Sequence, residues 1–335
     1  MNAQRVFKVM LVSLLPAILI NCSSGLNRDA QEVGSTRRGN ILVIGHRGAA
    51  GLAPENTLAA FTTAFDLGVD GVEMDVQLTR DGKLVVYHDH TLKPEITRNS
   101  DGEWLDEWTG LSIKDLSLAE LNQYDVGRLD THSYYAGRYP DQIPADGETI
   151  PTLQAVIDLL RARNSKAELW IEIKTSPLAL QVSSRPEDVA RAVVRVVGRN
   201  RLTRNVKILA FDWKALRTVQ QLAPEMVTVY LTNTSARMDT IQKGKTGLSP
   251  WTDGLDIDRY EGSIPALVAA AGGQFWAPRY NQITSEDMDA ARRLGIRVIV
   301  WTPDGEKDLR RCIALGVDGI ITNRPDRLMA LFSQK

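Results

Sequence analysis

At 335 residues the chain is long enough to bury a full core, as one large domain or two small ones. Forty Lys and Arg against 41 Asp and Glu leave a formal net charge of −1, which argues against nucleic acid as a partner. The 43% hydrophobic and 24% charged content is that of an ordinary soluble globular protein.

In chain order, the N-terminus stands apart. Arg5 and Lys8 precede an apolar run from Val9 to Ile20, which ends at Asn21-Cys22-Ser23-Ser24. A basic start, a short apolar core and a small-residue exit make residues 1–22 a secretory signal, too short for a comfortable membrane span. Leu19-Ile20-Asn21-Cys22 resembles a bacterial lipoprotein processing site, with Asn21 where Gly, Ala or Ser is usual. That resemblance implies export and a membrane anchor on lipidated Cys22. Ser23, where an aspartate would hold the protein at the inner membrane, implies the outer membrane facing the periplasm. The other reading is a plain cleaved signal and a periplasmic protein. Residues 23–39, rich in Ser, Asn, Arg, Asp and Gln, read as a flexible tether to a folded part over 40–335. Cys312 is the second of two cysteines, so the exported part has no internal disulfide. Its helical surroundings make it a small buried apolar residue.

Short β-branched runs then alternate with helical patterns. Residues 41–44 read as a strand, 57–67 as a helix with Leu58, Phe61 and Phe65 near helical spacing, and 71–78 and 83–87 as strands. Later strands fall at 168–173, 206–210, 227–231, 275–277, 298–301 and 319–321. Helical patterns fall at 152–162, 186–199, 213–222, 263–271, 285–294 and 305–315. Leu67-Gly68-Val69-Asp70-Gly71-Val72 recurs as Leu315-Gly316-Val317-Asp318-Gly319-Ile320, and Leu294-Gly295-Ile296 is a looser copy. Each copy ends a helix on a left-handed glycine cap and enters a strand. Repeated helix–Gly–strand units mean parallel strands with crossover helices, and eight or nine strands fit an α/β fold of the closed (β/α)8 TIM-barrel type. An open doubly wound sheet is the runner-up, without a Gly-rich phosphate loop after the first strand. Residues 89–150 break the rhythm, with Trp104, Trp108, Tyr124, Tyr134 and Tyr135. They read as an insertion after the third strand, which either shapes access to the barrel mouth or packs as a mere excursion.

Chemistry-bearing residues concentrate between Ile44 and Asp89, which hold two of the four histidines at the ends of apolar runs. Strand side chains alternate, so in Val72-Glu73-Met74-Asp75-Val76 the apolar residues face the helices and both carboxylates face the interior. Ile171-Glu172-Ile173-Lys174 repeats the pattern, with Glu172 and Lys174 inward. Buried acids on one face repel unless a cation joins them. Three inward carboxylates suit a hard divalent ion, Mg2+ or Ca2+, better than zinc. An ion-pair cluster neutralised by Arg47 and Lys174 is the alternative. Asp81-Gly82 signals a tight turn, and a two-residue hairpin there sets Asp75 opposite His88 on an extended return. His46 follows the first strand at its C-terminal end, where barrel enzymes keep their sites. Two histidines beside clustered acids suit general acid–base work. His90 and His132 are not expected to take part. Asn56 reads as the cap of the first helix, whose start could hold an anion, while Thr57 reads as capping alone. Trp301 points to the mouth or the core, and barrels often bind phosphate near a segment such as Thr322-Asn323-Arg324-Pro325.

Taken as an ordered set, His46-Arg47-Gly48, Pro54-Glu55-Asn56-Thr57, Glu73-Met74-Asp75, Asp81-Gly82, Val86-Tyr87-His88-Asp89, Ile171-Glu172-Ile173-Lys174 and Gly316-Val317-Asp318-Gly319 resemble glycerophosphodiester phosphodiesterases, from about Ile41 to Leu331. The resemblance implies a (β/α)8 barrel with an insertion after the third strand. It implies hydrolysis of a small-molecule glycerophosphodiester to glycerol 3-phosphate and an alcohol. Glu73, Asp75 and Glu172 match metal ligands, and His46 and His88 an acid–base pair. Arg47 and Lys174 match phosphate contacts, and Trp301 an aromatic on the glycerol side. Asn323 stands where the family pattern often has Asp, a departure expected to be peripheral. Alternatives are a lysophospholipase D-type or phosphoinositide-type enzyme on the same barrel, a loosely specific phosphate-ester hydrolase, or a non-catalytic binding lipoprotein.

Overall fold

A computed structural model of the protein describes residues 41–106 and 110–333. The expected signal, Cys22, the tether and Trp108 lie outside the described residues. In chain order the strands are β1 (Leu42–Gly45), β2 (Gly71–Leu78), β3 (Leu84–Val86), β4 (Glu168–Ile173), β5 (Val206–Ala210), β6 (Val227–Thr232), β7 (Thr234–Ser235), β8 (Met238–Asp239), β9 (Phe275–Pro278), β10 (Arg297–Trp301) and β11 (Gly319–Thr322). The helices are α1 (Leu58–Leu67), α2 (Leu118–Leu121), α3 (Leu153–Ala162), α4 (Pro186–Arg199), α5 (Trp213–Leu222), α6 (Ile264–Ala270), α7 (Ser285–Arg293), α8 (Glu306–Leu315) and α9 (Pro325–Ser333).

Eight of these strands close a ring in the order β1-β2-β4-β5-β6-β9-β10-β11, and every neighbouring pair in it is parallel. This is the expected (β/α)8 barrel. Strand alternation divides the apolar residues into two layers. Ile44, Trp170, Leu209, Val229, Leu231, Phe275, Ile299 and Ile321 form one buried cluster inside the ring. Val43, Val72, Met74, Ile171, Ile208, Val298 and Ile320 pack with helix residues such as Phe61, Val156 and Leu309 in another. Full burial of each such side chain contributes about 1.5–3 kcal/mol, so the two layers dominate what holds the barrel closed. The three repeated glycines, Gly68, Gly295 and Gly316, carry φ of 73°, 68° and 69°, the left-handed conformation that ends a helix and releases the chain into the next strand.

β3 departs from the ring. It returns antiparallel along β2, with Val76 facing Val86 and Leu78 facing Leu84. The turn is one residue longer than the expected two-residue loop. Thr79 N donates to Lys83 O at 2.9 Å and Gly82, at φ 73°, donates to Thr79 O at 3.0 Å. A three-residue loop with a left-handed glycine shifts the register by one. Tyr87, not His88, therefore lies opposite Asp75, its N donating to Asp75 O at 2.9 Å. His88 follows just beyond the end of the ladder.

Residues 87–106 and 110–152 form short 3₁₀ turns and α2 around an apolar core of their own, including Leu92, Ile96, Ile113, Leu121, Tyr135, Tyr139 and Ile150. Ala50, from the loop after β1, belongs to that core and ties the segment to the C-terminal end of the barrel. α9, absent from the helices read in the sequence, starts at Pro325 and buries Leu328. Among the described residues no helix is long and apolar enough to cross a membrane.

Candidate active site

Alternation along β2 and β4 turns Glu73, Asp75 and Glu172 inward, and the parallel register sets Asp75 beside Glu172. Each of these acids can offer one carboxylate oxygen within 4.8 Å of the others', and all three side chains are buried. Glu73 Oε1 and Asp75 Oδ1 are buried without a hydrogen-bond partner. Burial, and next the charges of Asp75 and Glu172, push the Glu73 carboxyl well above the ordinary range. Burial works the same way on Asp75, but His88, Arg47 and Lys174 outweigh it and hold that carboxyl low. Two orphaned carboxyl oxygens on β2, with Glu172 reaching in from β4, are the donor set of a hard divalent cation. They fit Mg2+ or Ca2+.

Two cations edge the cluster. Arg47 has left-handed backbone (φ 49°) and precedes Gly48 at φ 85°, where an added Cβ would lie 2.6 Å from the Ala60 carbonyl carbon. This tight turn aims the Arg47 N–H at Glu73 Oε2, 2.9 Å away. The guanidinium donates to Glu55 Oε1 at 2.7 Å and sits 3.2 Å from Asp75 Oδ2, an ion pair without hydrogen-bond alignment. Lys174 Nζ donates to Glu172 Oε1 at 2.7 Å and lies 3.5 Å from Asp75 Oδ1. Both cations neutralise acids, yet the orphaned oxygens remain, so pairing alone does not satisfy the cluster.

His46 leaves β1 with Nε2 3.8 Å from Glu73 Oε2. Its Nδ1 lies 2.6 Å from Asn323 Oδ1. The Asn323 amide nitrogen donates to Asp304 Oδ2 at 2.7 Å, which fixes Oδ1 as the acceptor toward His46. In the neutral ring the proton is thus on Nδ1 and the lone pair on Nε2. Burial, and next the Arg47 charge, push the His46 pKa down to about 3. His88 comes from the other side, its Nδ1 3.2 Å from Asp89 Oδ1.

The cleft, about 160 Å³, is lined by the titratable side chains of His46, Arg47, Glu73, His88, Arg138, Glu172 and Lys174 together with Leu209, Phe211, Leu231, Trp301, Thr302 and Ile321. The Trp301 indole faces this mouth, held by Nε1–H donation to Ala277 O at 2.9 Å and an edge contact with Phe211 at 5.5 Å. All eight residues singled out in the sequence therefore meet in one place. His90, bonded to Gln77 at 3.1 Å, and the exposed His132 do not line the cleft.

Four expectations change. Thr57, not Asn56, caps α1, accepting from Ala60 N at 3.2 Å. Asn56 takes φ 58°, which Asn tolerates, and turns its amide to Asp75 Oδ2 at 2.8 Å. The start of α1 is already met by an anion of the chain, because Glu148 Oε2 accepts from Leu58 N at 3.1 Å. Around the last strand, Thr322 donates to Asp304, and Arg324 pairs with Asp326 and Asp141, so these groups are committed to carboxylates. Asn323 is not peripheral, since it touches His46. Glu55, Tyr135, Arg138, Asn323 and Asp304 join the site without a role assigned from sequence. Glu55 lay within a quoted motif and Asn323 within a noted departure, but Asp304 carried no signal.

The family model for the glycerophosphoryl diester phosphodiesterase family matches residues 46–327. A relative from Caldanaerobacter subterraneus subsp. tengcongensis, named glycerophosphodiester phosphodiesterase, is 31% identical over 290 residues, covering 87% of this chain and 97% of its own. A crystal structure from Silicibacter pomeroyi DSS-3 that carries the family's name superposes with a TM-score of 0.77 at 34% identity, covering 88% of this chain and 93% of that one. An Oleispira antarctica phosphodiesterase, solved in complex with the product sn-glycerol-3-phosphate, shares the fold with a TM-score of 0.62 at 23% identity, covering 88% and 97%. The barrel, the cleft and these likenesses agree, and the chain belongs to the glycerophosphoryl diester phosphodiesterase family.

Proposed function

We propose that the protein hydrolyses glycerophosphodiesters to glycerol 3-phosphate and an alcohol, by metal-dependent acid–base catalysis. The observation that carries this reading is the convergence of three buried carboxylates, two histidines and two cations in one cleft at the C-terminal end of the barrel. Glu73, Asp75 and Glu172 would hold Mg2+ or Ca2+, which when bound supplies positive charge to a phosphate oxygen and to the hydroxyl beside it.

The side chains divide the remaining work. Arg47 and Lys174 hold charge building on the phosphoryl oxygens. His46, with Nδ1 committed to Asn323, takes the proton of the glycerol 2-hydroxyl on Nε2 as that oxygen attacks phosphorus. His88 gives a proton to the alcohol oxygen as its bond to phosphorus breaks. Water then opens the cyclic phosphate at the 2-oxygen, with the two histidines exchanging roles. Trp301 and Phe211 offer apolar surface to the glycerol carbons.

Residues 1–22 are proposed as an export signal ending at a lipidated Cys22, which would tether the barrel to the outer membrane facing the periplasm. The segment after β3 is proposed as an insertion that shapes the mouth. A second reading, action on acylated lysophospholipids, is favoured by Leu178 and Leu180, 66% and 70% exposed on the loop that follows Lys174.

The test uses the full chain, stripped of metal and assayed for glycerol 3-phosphate release from glycerophosphocholine and glycerophosphoethanolamine. Release should need added Mg2+ or Ca2+ and should fall by about 10²–10⁴ in His46→Ala. Release that ignores both the ion and the substitution would overturn the scheme. Turnover of lysophosphatidylcholine alone would select the second reading.

A further inference from the structure

Three lysine or arginine side chains line the cleft: Arg47, Arg138 and Lys174. Arg47 and Lys174 are bound to carboxylates. Arg138 has no carboxylate within ion-pair distance among the described residues. Its guanidinium lies instead over two aromatic rings, 5.3 Å from the centroid of Tyr135 and 5.7 Å from that of Tyr139. Stacking on two rings holds a planar cation in place while its N–H groups stay available.

That support is rigid and joined to the catalytic groups. Tyr135 and Tyr139 meet edge to face at 5.3 Å, and both are buried. The Tyr135 hydroxyl donates to Glu55 and accepts from Arg47 Nη1 at 3.4 Å. Lys93 Nζ stands 3.3 Å from the Tyr135 ring centroid and likewise has no ion-pair partner among the described residues. The segment after β3 thus brings Arg138, a cation without a carboxylate partner among the described residues, to the mouth. His88, which gives a proton to the departing alcohol in the proposed reaction, lies at the start of that same segment. Leu209, Phe211, Leu231 and Trp301 supply apolar lining to the same cleft. With the glycerol carbons against Trp301 and Phe211 in the proposed reaction, the alcohol is assigned to the side of Arg138.

We infer that Arg138 forms a second anion-recognition site, which selects glycerophosphodiesters whose alcohol carries a carboxylate or a phosphate. The inference rests on the proposed diesterase reading and extends it to the substrate class. A cationic alcohol such as choline meets like charge at Arg138, and an anionic one gains a planar, two-pronged donor.

Glycerophosphoserine and glycerophosphoethanolamine make a matched pair, because their alcohols differ by one carboxylate. The full chain, loaded with its activating divalent ion, is assayed for kcat/KM on both. The ratio of serine to ethanolamine diester should be about ten and should shrink as salt is raised, as expected of a partly exposed pair. Arg138→Gln should bring the ratio to about one, and Arg138→Lys should recover part of it. An even ratio in the unaltered protein, or an Arg138→Gln protein in which both diesters slow equally, would overturn the inference while leaving the diesterase reading intact. No release from either diester would sink both.

Discussion

Asn323 accepts the Nδ1 proton of His46 at 2.6 Å, and its own amide nitrogen donates to Asp304 at 2.7 Å. Asp304 also accepts from Asn323 N at 2.9 Å and Thr322 Oγ1 at 3.0 Å, so the acceptor end of the asparagine is locked. The chain Asp304–Asn323–His46 sets the tautomer and the ring orientation that leave Nε2 free. Asn323→Ala should lower kcat about 10- to 100-fold with KM little changed, in line with the loss of a group that orients another. Steady-state kinetics at several pH values check it. A fall in affinity alone, with kcat kept, would mean that Asn323 acts on binding and not on the base.

Much of this architecture was legible in the sequence because its determinants are local. The alternation in Val72–Val76 and Ile171–Lys174 turns three acids and a lysine inward whatever the rest of the chain does. The glycine caps repeat because each helix must end before a strand begins. What escaped reading depends on contacts between distant parts of the chain. Asn323 reaches His46 across 277 residues, and Tyr135 reaches Glu55 across 80. Asn56 escapes the capping rule because a capping residue and a left-handed turn residue look alike until Asp75 is placed beside it. The hairpin slipped by one because Asp81-Gly82 suits both two- and three-residue loops.

The orphaned oxygens of Glu73 and Asp75 predict that a divalent ion stabilises the fold as well as the reaction. At an ion concentration of about 100 times Kd, the gain is about 2.7 kcal/mol. Calorimetry with Mg2+, with Ca2+ and with chelator should show the unfolding temperature rise with the activating ion. Glu172→Gln should lose most of that rise. An unfolding temperature indifferent to either ion would reduce the cluster to an ion-pair network.

Tyr135 tests the tie between the segment after β3 and Arg47. Tyr135→Phe removes the hydroxyl that donates to Glu55, in a buried setting where an unpaired carboxylate oxygen costs about 1–3 kcal/mol. Among the described residues Glu55 then has only Arg47 to hold it, and Arg47 loses a fixed neighbour. Stability should fall by about that amount and kcat/KM by about tenfold. Urea unfolding measures the first and initial rates the second. A Tyr135→Phe protein that is less stable but equally active would confine the tyrosine to packing.

Asp212 supplies a prediction about pH that does not involve the cleft's acids. It caps α5, accepting from Lys214 N at 3.2 Å, with Thr175 Oγ1 donating to its other oxygen at 3.2 Å. Burial pushes its carboxyl up to about 6, beyond what these hydrogen bonds and the Lys214 charge pull back. A carboxyl raised in the folded state binds its proton more tightly there than in the unfolded chain. The fold is therefore favoured below the ordinary carboxylate range, and this contribution declines as pH rises through about 4 to 6. Above that window the buried charge costs roughly 1–3 kcal/mol. Asn is as good a cap as Asp and carries no charge to bury, and its amide can donate to Thr175 Oγ1. Asp212→Asn should thus unfold at a higher temperature than the unaltered protein at pH 7–8, and the two should converge near pH 4. Should the variant be the less stable of the two at pH 8, attraction to the helix N-terminus and Lys214 would outweigh burial, and the assigned sign would be wrong.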